Sequence, residues 1–153
     1  QVDRGGVENW RRGALRQLRV NTRKAPAFVL PPDAFTIRMK DFAFVLQRPG
    51  VLRGSPIRVI NQGKVGHEIS LLRLARGKSF ADGLRAVHAY VAGKRTRLPG
   101  QPYEFLGLVA PGWVGYVPAS LQPGRYLVLS FATDPKTGKS QTELGMTGRL
   151  TVY

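Results

Sequence analysis

From Phe35 onward the chain is cut into short alternating runs with turn signals between them, and this punctuation restricts the fold more than any other feature. Phe35, Ile37 and Met39 alternate with Thr36, Arg38 and Lys40, and an apolar run continues from Phe42 to Leu46. The stretch PIRVINQG alternates Ile57, Val59 and Asn61 before a Gln62-Gly63 turn, and HEISLLRL gives a strand over Glu68 to Leu74. WVGYVPASL, GRYLVLSFA and GRLTVY complete the series. Alternation with period two is what a strand shows when one face lies in a core. Pro-Gly pairs stand at 49–50, 99–100, 111–112 and 123–124, and both residues favour turns: proline presets φ, and glycine accepts positive φ. One segment breaks the rhythm. Phe80, Leu84, Val87 and Val91 recur at helical spacing, and Gly93 supplies a stop. The expectation is an all-β Greek-key β-sandwich of roughly eight strands, with one short helical insertion near 80–92.

Residues 1–33 follow another pattern. Val7, Trp10, Ala14 and Leu18 have helix-like spacing among Arg11, Arg12, Arg16 and Arg19, but Gly13 interrupts them and Pro26, Pro31 and Pro32 end any regularity. The domain division expected is therefore a basic N-terminal extension over 1–33 and a β-sandwich over 34–153. The extension is either a short helix or extended arm that packs on a partner, or a basic tail. Trp10, Leu15 and Leu18 are its candidate apolar anchors, with Arg11, Arg12, Arg16 and Arg19 around them.

Composition removes several functions. The chain has no cysteine, which excludes disulfides, thiolate metal sites and cysteine nucleophiles. No run approaches the roughly 18 apolar residues of a membrane-spanning helix. The first residue is Gln1 rather than Met, which leads to the expectation of a removed leader and an exported, periplasmic or otherwise extracytoplasmic protein.

Charge points to partners. The 24 Lys and Arg outnumber the 9 Asp and Glu, a formal net charge of +15. Residues 1–51 carry a net +6, residues 52–102 a net +8 and the last third only +1. Such a field favours acidic surfaces. The densest cluster outside the extension is Arg76, Lys78, Arg85, Lys94, Arg95 and Arg97, with Asp82 as its one acid. Nucleic acid is the less favoured partner, because only Phe80 and Tyr90 lie among these cations and both suit helix packing better than base stacking. An acidic protein surface, with an anionic membrane surface as a further candidate, fits better.

Two stretches carry the candidate chemistry. The first runs through Asn61, Gly63, His67 and Glu68; the second through Pro123, Gly124, Tyr126, Ser130, Phe131, Asp134, Gly138, Gln141, Gly145 and Met146. In this order and spacing they resemble the patterns N-x-G…H-E-L-x-L and P-G-x-Y-x-x-x-C-F…D-x-x-x-G-x-x-H-x-x-x-G-M of exported cupredoxin-like domains, over about Phe35 to Tyr153. The resemblance implies a Greek-key sandwich of cupredoxin type. It also implies a metal site of two imidazoles, a thiolate and an axial thioether. Carried onto this chain, those positions are His67 and Gln141 for the imidazoles, Ser130 for the thiolate and Met146 for the thioether. Two of the four ligand types are absent, and a hydroxyl and an amide are poor donors to soft copper. The resemblance therefore implies a domain with a degenerate site, no metal and no cofactor.

Three other uses of these residues follow from their chemistry. His67 and Met146 could hold Cu(I) weakly in a copper-binding or copper-carrying protein; His88, the other imidazole, falls in the helical segment. Against this, His67 reads as a half-buried imidazole satisfied by a loop carbonyl, and Met146 as core filler. Ser130 as a nucleophile needs a base in reach and a group orienting that base. Glu68 is adjacent to His67 and so points to the opposite face of a strand. Nucleic-acid binding is the third. The reading that uses most of the chain is a non-enzymatic, copper-less cupredoxin-like subunit. It docks through its basic surface and N-terminal arm onto a larger membrane-associated complex, of which an electron-transfer assembly, respiratory or photosynthetic, is one kind.

Overall fold

The computed structural model of the chain describes residues 34–100, 102–117 and 120–153. The expected extension, with Trp10, Arg11, Arg12, Leu15, Arg16, Leu18 and Arg19, lies outside the described residues. Among the described residues, nine strands and one helix follow in order: β1 (Phe35–Lys40), β2 (Ala43–Leu46), β3 (Gly50–Val51), β4 (Ile57–Asn61), β5 (His67–Arg73), α1 (Phe80–Val91), β6 (Pro102–Val109), β7 (Val114–Val117), β8 (Gly124–Leu129) and β9 (Thr147–Val152). They form a four-stranded sheet ordered β2-β1-β4-β7 and a five-stranded sheet ordered β3-β9-β8-β5-β6. β1 runs parallel to β4 and β3 parallel to β9, while the other pairings are antiparallel.

The alternation read from the sequence becomes the core. Phe35, Ile37 and Met39 of β1, and Ile57 and Val59 of β4, are fully buried between the sheets. They meet Ile69 and Leu71 of β5, Tyr126 and Val128 of β8, and Leu150 of β9. Each such side chain contributes about 1.5–3 kcal/mol of apolar burial. The outer face of the five-stranded sheet is apolar too: Leu72, Leu127 and Leu129 pack with Val87, and Phe80 and Leu84 of α1 close over them. That second layer explains why Leu71-Leu72 and YLVL are apolar without alternation, since β5 and β8 are covered on both faces there.

The helical insertion forms where its spacing predicts it. Ser79 caps α1 by accepting from the Asp82 backbone N–H, and the Asp82 carboxylate accepts from the Ser79 N–H, a capping box. Three differences from the sequence reading have local causes. The run from Phe35 to Leu46 is a hairpin and not one strand: the chain reverses at Asp41-Phe42, and Phe42 takes φ 59°. β3 is two residues long, too short to show alternation. β6 begins at Pro102 against β5 and carries bulges that blur its periodicity.

Candidate functional site: the polar cluster around His67

The sandwich places three of the four candidate positions in direct contact. His67 opens β5, Ser130 follows the last residue of β8, and Gln141 lies in the loop between β8 and β9. All three side chains are at most 1% exposed. The Gln141 side-chain oxygen is the hub. It accepts from Ser130 Oγ at 2.8 Å and lies 2.8 Å from His67 Nδ1. The Gln141 Nε2 donates to the Gly66 carbonyl at 2.8 Å, which fixes the orientation of the amide. Because that oxygen can only accept, the proton on this side of the ring sits on His67 Nδ1.

Met146 joins the group through its backbone, whose N–H donates to the Gln141 carbonyl, while its side chain is fully buried in the inter-sheet core. The expectation of a half-buried His67 satisfied by a loop carbonyl does not hold. Its ring is fully buried and not half-buried, and its partner is a side-chain amide and not a loop carbonyl.

The loop is held by bonds of its own. Thr142 Oγ1 donates to the Ser130 carbonyl and accepts from the Ser130 N–H. The Thr142 and Gln141 N–H groups donate to the carbonyls of Ser130 and Ala132. The Asp134 carboxylate accepts from Thr137 Oγ1 and N–H, and the Thr137 hydroxyl holds that carboxyl below its usual range. On the other side, Asn61 donates to the carbonyls of Val65 and Val109 and accepts from the Gly63 N–H. That fastens the β4–β5 turn over the imidazole.

His67 Nε2 faces this turn. It is buried with no hydrogen-bond partner and lies 3.5 Å from Asp41 Oδ1, which accepts from the Lys64 N–H. A Cβ on Gly63 would sit 2.3 Å from His67 Nε2 and 2.5 Å from Asp41 Oδ1, so no larger residue fits there without movement. Asp41 and Thr142 escape the sequence reading. Asp41 belongs to a turn without a glycine or proline signal, and Thr142 is one of several hydroxyls in its loop.

The donor set does not fit copper. That metal favours imidazole and thiolate, but the imidazole Nδ1 and the Ser130 hydroxyl are both turned to the same amide oxygen. Among the described residues, no group of three or more His, Cys, Asp or Glu is placed to hold a metal ion. Catalysis by Ser130 finds no support either. Its hydroxyl bonds to an amide and not to a base, and Glu68 accepts from the Phe131 N–H instead of orienting His67. His88 is exposed on α1.

The second candidate group is the basic cluster. Arg76, Lys78, Arg85, Lys94, Arg95 and Arg97 are all exposed. Lys78, Arg85 and Arg97 line a groove of about 980 Å³ between α1 and the segment that follows it, whereas Arg76, Lys94 and Arg95 do not. Arg125 and Arg149 extend the positive surface at the start of α1, with guanidinium carbons 6.0 and 5.7 Å from the Phe80 ring centroid. The sequence reading missed both, because β8 and β9 carry them in the nearly neutral third of the chain.

Two facing sheets with these strand orders form an all-β sandwich, with a histidine opening β5 and a Gly-Met loop entering β9. No protein-family model matches the chain, and no curated protein is significantly similar to it. Solved structures similar to it include auracyanin B, at 20% identity and TM-score 0.45, covering 82% of this chain and 91% of that one. Amicyanin from Paracoccus versutus matches at 12% identity and TM-score 0.43, over 81% and 85% of the two chains. A chain of a heme-copper terminal oxidase dimer matches at 17% identity and TM-score 0.40, over 77% and 63%.

Proposed function

We infer that this is a copper-less cupredoxin-like domain that serves as a binding or structural subunit. One observation carries the reading: Gln141 bonds to Ser130, His67 and Gly66 at once. Side chains at positions that resemble a metal-ligand set thus bond to one another through Gln141, with His67 Nε2 left unpartnered, and the cluster acts as a cross-link between β5 and the last loop. Ser130, Gln141, His67 and Met146 are on this reading vestigial ligand positions.

The function then lies on the surface. The chain's net charge of +15 draws it to an acidic protein surface of a larger complex, with the arm at residues 1–33 as one of its attachments. Export and association with a membrane through that complex complete the proposal. No helix among the described residues is long and apolar enough to cross a membrane.

Two measurements test it. Titration with Cu(I) and Cu(II) should give no stoichiometric complex; one copper per chain, lost in Met146→Leu, would replace this reading with copper carriage through His67 and Met146. The native protein should leave membranes inside an assembly that dissociates as salt rises, and removal of residues 1–24 should weaken that assembly while the domain stays folded. Retention of the truncated form at full yield would remove the arm from the proposal. Binding to oligonucleotide that falls steeply with salt while no protein assembly is recovered would favour nucleic acid instead.

A further inference from the structure

The groove between α1 and residues 94–100 is built differently from a solvated basic face. Its outer wall is fastened to the sheet: the Ala75 N–H donates to the Pro99 carbonyl at 2.8 Å, which ties that segment to the chain just after β5. Gly100 completes the joint. A Cβ there would lie 1.8 Å from the Arg73 carbonyl oxygen, so the segment approaches the sheet as closely as glycine allows. Its volume of about 980 Å³ suits a short peptide segment with one large side chain.

The lining is divided. Tyr90, Leu98 and Pro99 give an apolar floor. The Tyr90 ring is 52% exposed and is held edge-on against Phe131, with centroids 6.3 Å apart. Lys78, Arg85 and Arg97 stand along the same groove with exposed head groups. The acid among them is Asp82, and its charge is committed: Oδ2 accepts from Ser79 N and Oγ, and Oδ1 lies 3.7 Å from Arg85. Three cations against one capping carboxylate leave the lining net positive.

We propose that this groove takes an acidic peptide segment of a partner protein, with an aromatic or aliphatic side chain on the Tyr90–Leu98–Pro99 floor and carboxylates facing Lys78, Arg85 and Arg97. The inference rests on the docking reading above and locates it. Charge complementarity selects the sign of the occupant. The floor selects its second property, since a purely electrostatic contact has no use for buried apolar area. A flat bilayer does not enter a groove walled on two sides. Nucleic acid would want several stacking faces among the cations, and Tyr90 is the one aromatic ring in the groove lining.

The test uses the full chain and a fluorescent peptide of about ten residues, rich in Glu and Asp with one central Phe, followed by anisotropy. The wild type should bind it. Arg85→Glu with Arg97→Glu should weaken binding about tenfold or more, as expected when two contacts are reversed in sign. Replacing the peptide's Phe by Ser should also cost about tenfold, the worth of one buried aromatic. Lys136→Glu with Lys139→Glu changes the net charge equally on exposed residues outside the groove and should have little effect. Thermal melts confirm that both variants remain folded.

Equal losses in the two double variants would reduce the effect to the overall field and overturn the proposal. So would indifference to the peptide's Phe. So would tighter binding of oligo-dT, or of vesicles containing anionic lipid, that is lost in the same Arg85 and Arg97 variant. A salt-sensitive native assembly that persists undiminished in that variant would sink the groove but leave the docking reading standing. Lack of any such assembly in the wild type would sink the docking reading, and the peptide measurement would still decide the groove.

Discussion

Replacing Gln141 by Leu isolates the feature on which the functional reading depends. Leu is close to Gln in volume, so the change leaves little cavity and removes mainly hydrogen bonds. Three groups lose their partner: Ser130 Oγ, His67 Nδ1 and the Gly66 carbonyl. The first two belong to fully buried residues, and each orphaned buried group costs about 1–3 kcal/mol. Gly66 is only half-buried, so water can replace part of what it loses. The expected net cost is about 2–5 kcal/mol, against a total stability of about 5–15 kcal/mol for a domain of this kind.

Urea unfolding at pH 7 reads this directly. With a slope of about 1–3 kcal/mol per molar, the midpoint should fall by roughly 1–3 M at unchanged slope. Ser130→Ala is the internal control. It removes one donor but leaves His67 with its acceptor, so it should cost only about 1 kcal/mol. A Gln141→Leu variant within about 0.5 kcal/mol of wild type, or an equal cost for the two variants, would refute the amide as the hub.

The double change Ser130→Cys, Gln141→His should produce a coloured copper site, because it supplies a thiolate and a second imidazole and frees His67 Nδ1 from the amide; a folded, colourless and copper-free product would show that these are not ligand positions. Gly63→Ala places a methyl 2.3 Å from His67 Nε2 and 2.5 Å from Asp41 Oδ1 and should cost about 1–3 kcal/mol by overpacking, read as a lowered urea midpoint; an unchanged midpoint would mean that the turn yields freely. Asp134 is a pH probe with a definite sign. Its folded carboxyl sits below the ordinary aspartate value, chiefly through the Thr137 hydroxyl, so its stabilisation is present in full above that value and is lost as pH falls through the lower, folded one. The difference in melting temperature between wild type and Asp134→Ala should thus be steady from neutral pH to about 5 and shrink below about 3.8; a difference that grows on acidification would contradict the assignment.

Much of the fold was legible because burial here follows local period. Ile57, Val59 and Asn61 all point inward as their alternation requires, and α1 occupies the segment marked by Phe80, Leu84, Val87 and Val91. The hairpin at Asp41-Phe42 was not legible, since a phenylalanine at φ 59° carries no turn signature and is held there by tertiary packing. At the site, the loop spacing from Ser130 to Met146 placed the right residues near one another. The resemblance put His67 and Gln141, 74 positions apart, at one site, but it did not reveal that they would bond directly, or that Asp41 would face the other ring nitrogen. Non-local pairings leave no periodic trace, and an amide gives no sign of which partner it will find.

The cluster also bears on where selection for function can act. A metal-ligand loop is held partly by its ion, so its stability rises and falls with ion supply. Here the loop is closed by Gln141, Thr142 and the Asp134–Thr137 turn, contacts that need no ligand. The outer face of the five-stranded sheet is free of that task. It carries α1, whose inner side packs on Leu72 and Leu127 while its outer side helps to wall the groove with Lys78, Arg85 and Arg97. Substitutions along that groove change charge and shape at exposed positions, so they should alter partner choice with little cost to the core. Substitutions around Gln141 should do the reverse. The separation of these two kinds of effect, measured side by side on one protein, is what distinguishes a docking domain from a metal carrier built on the same sandwich.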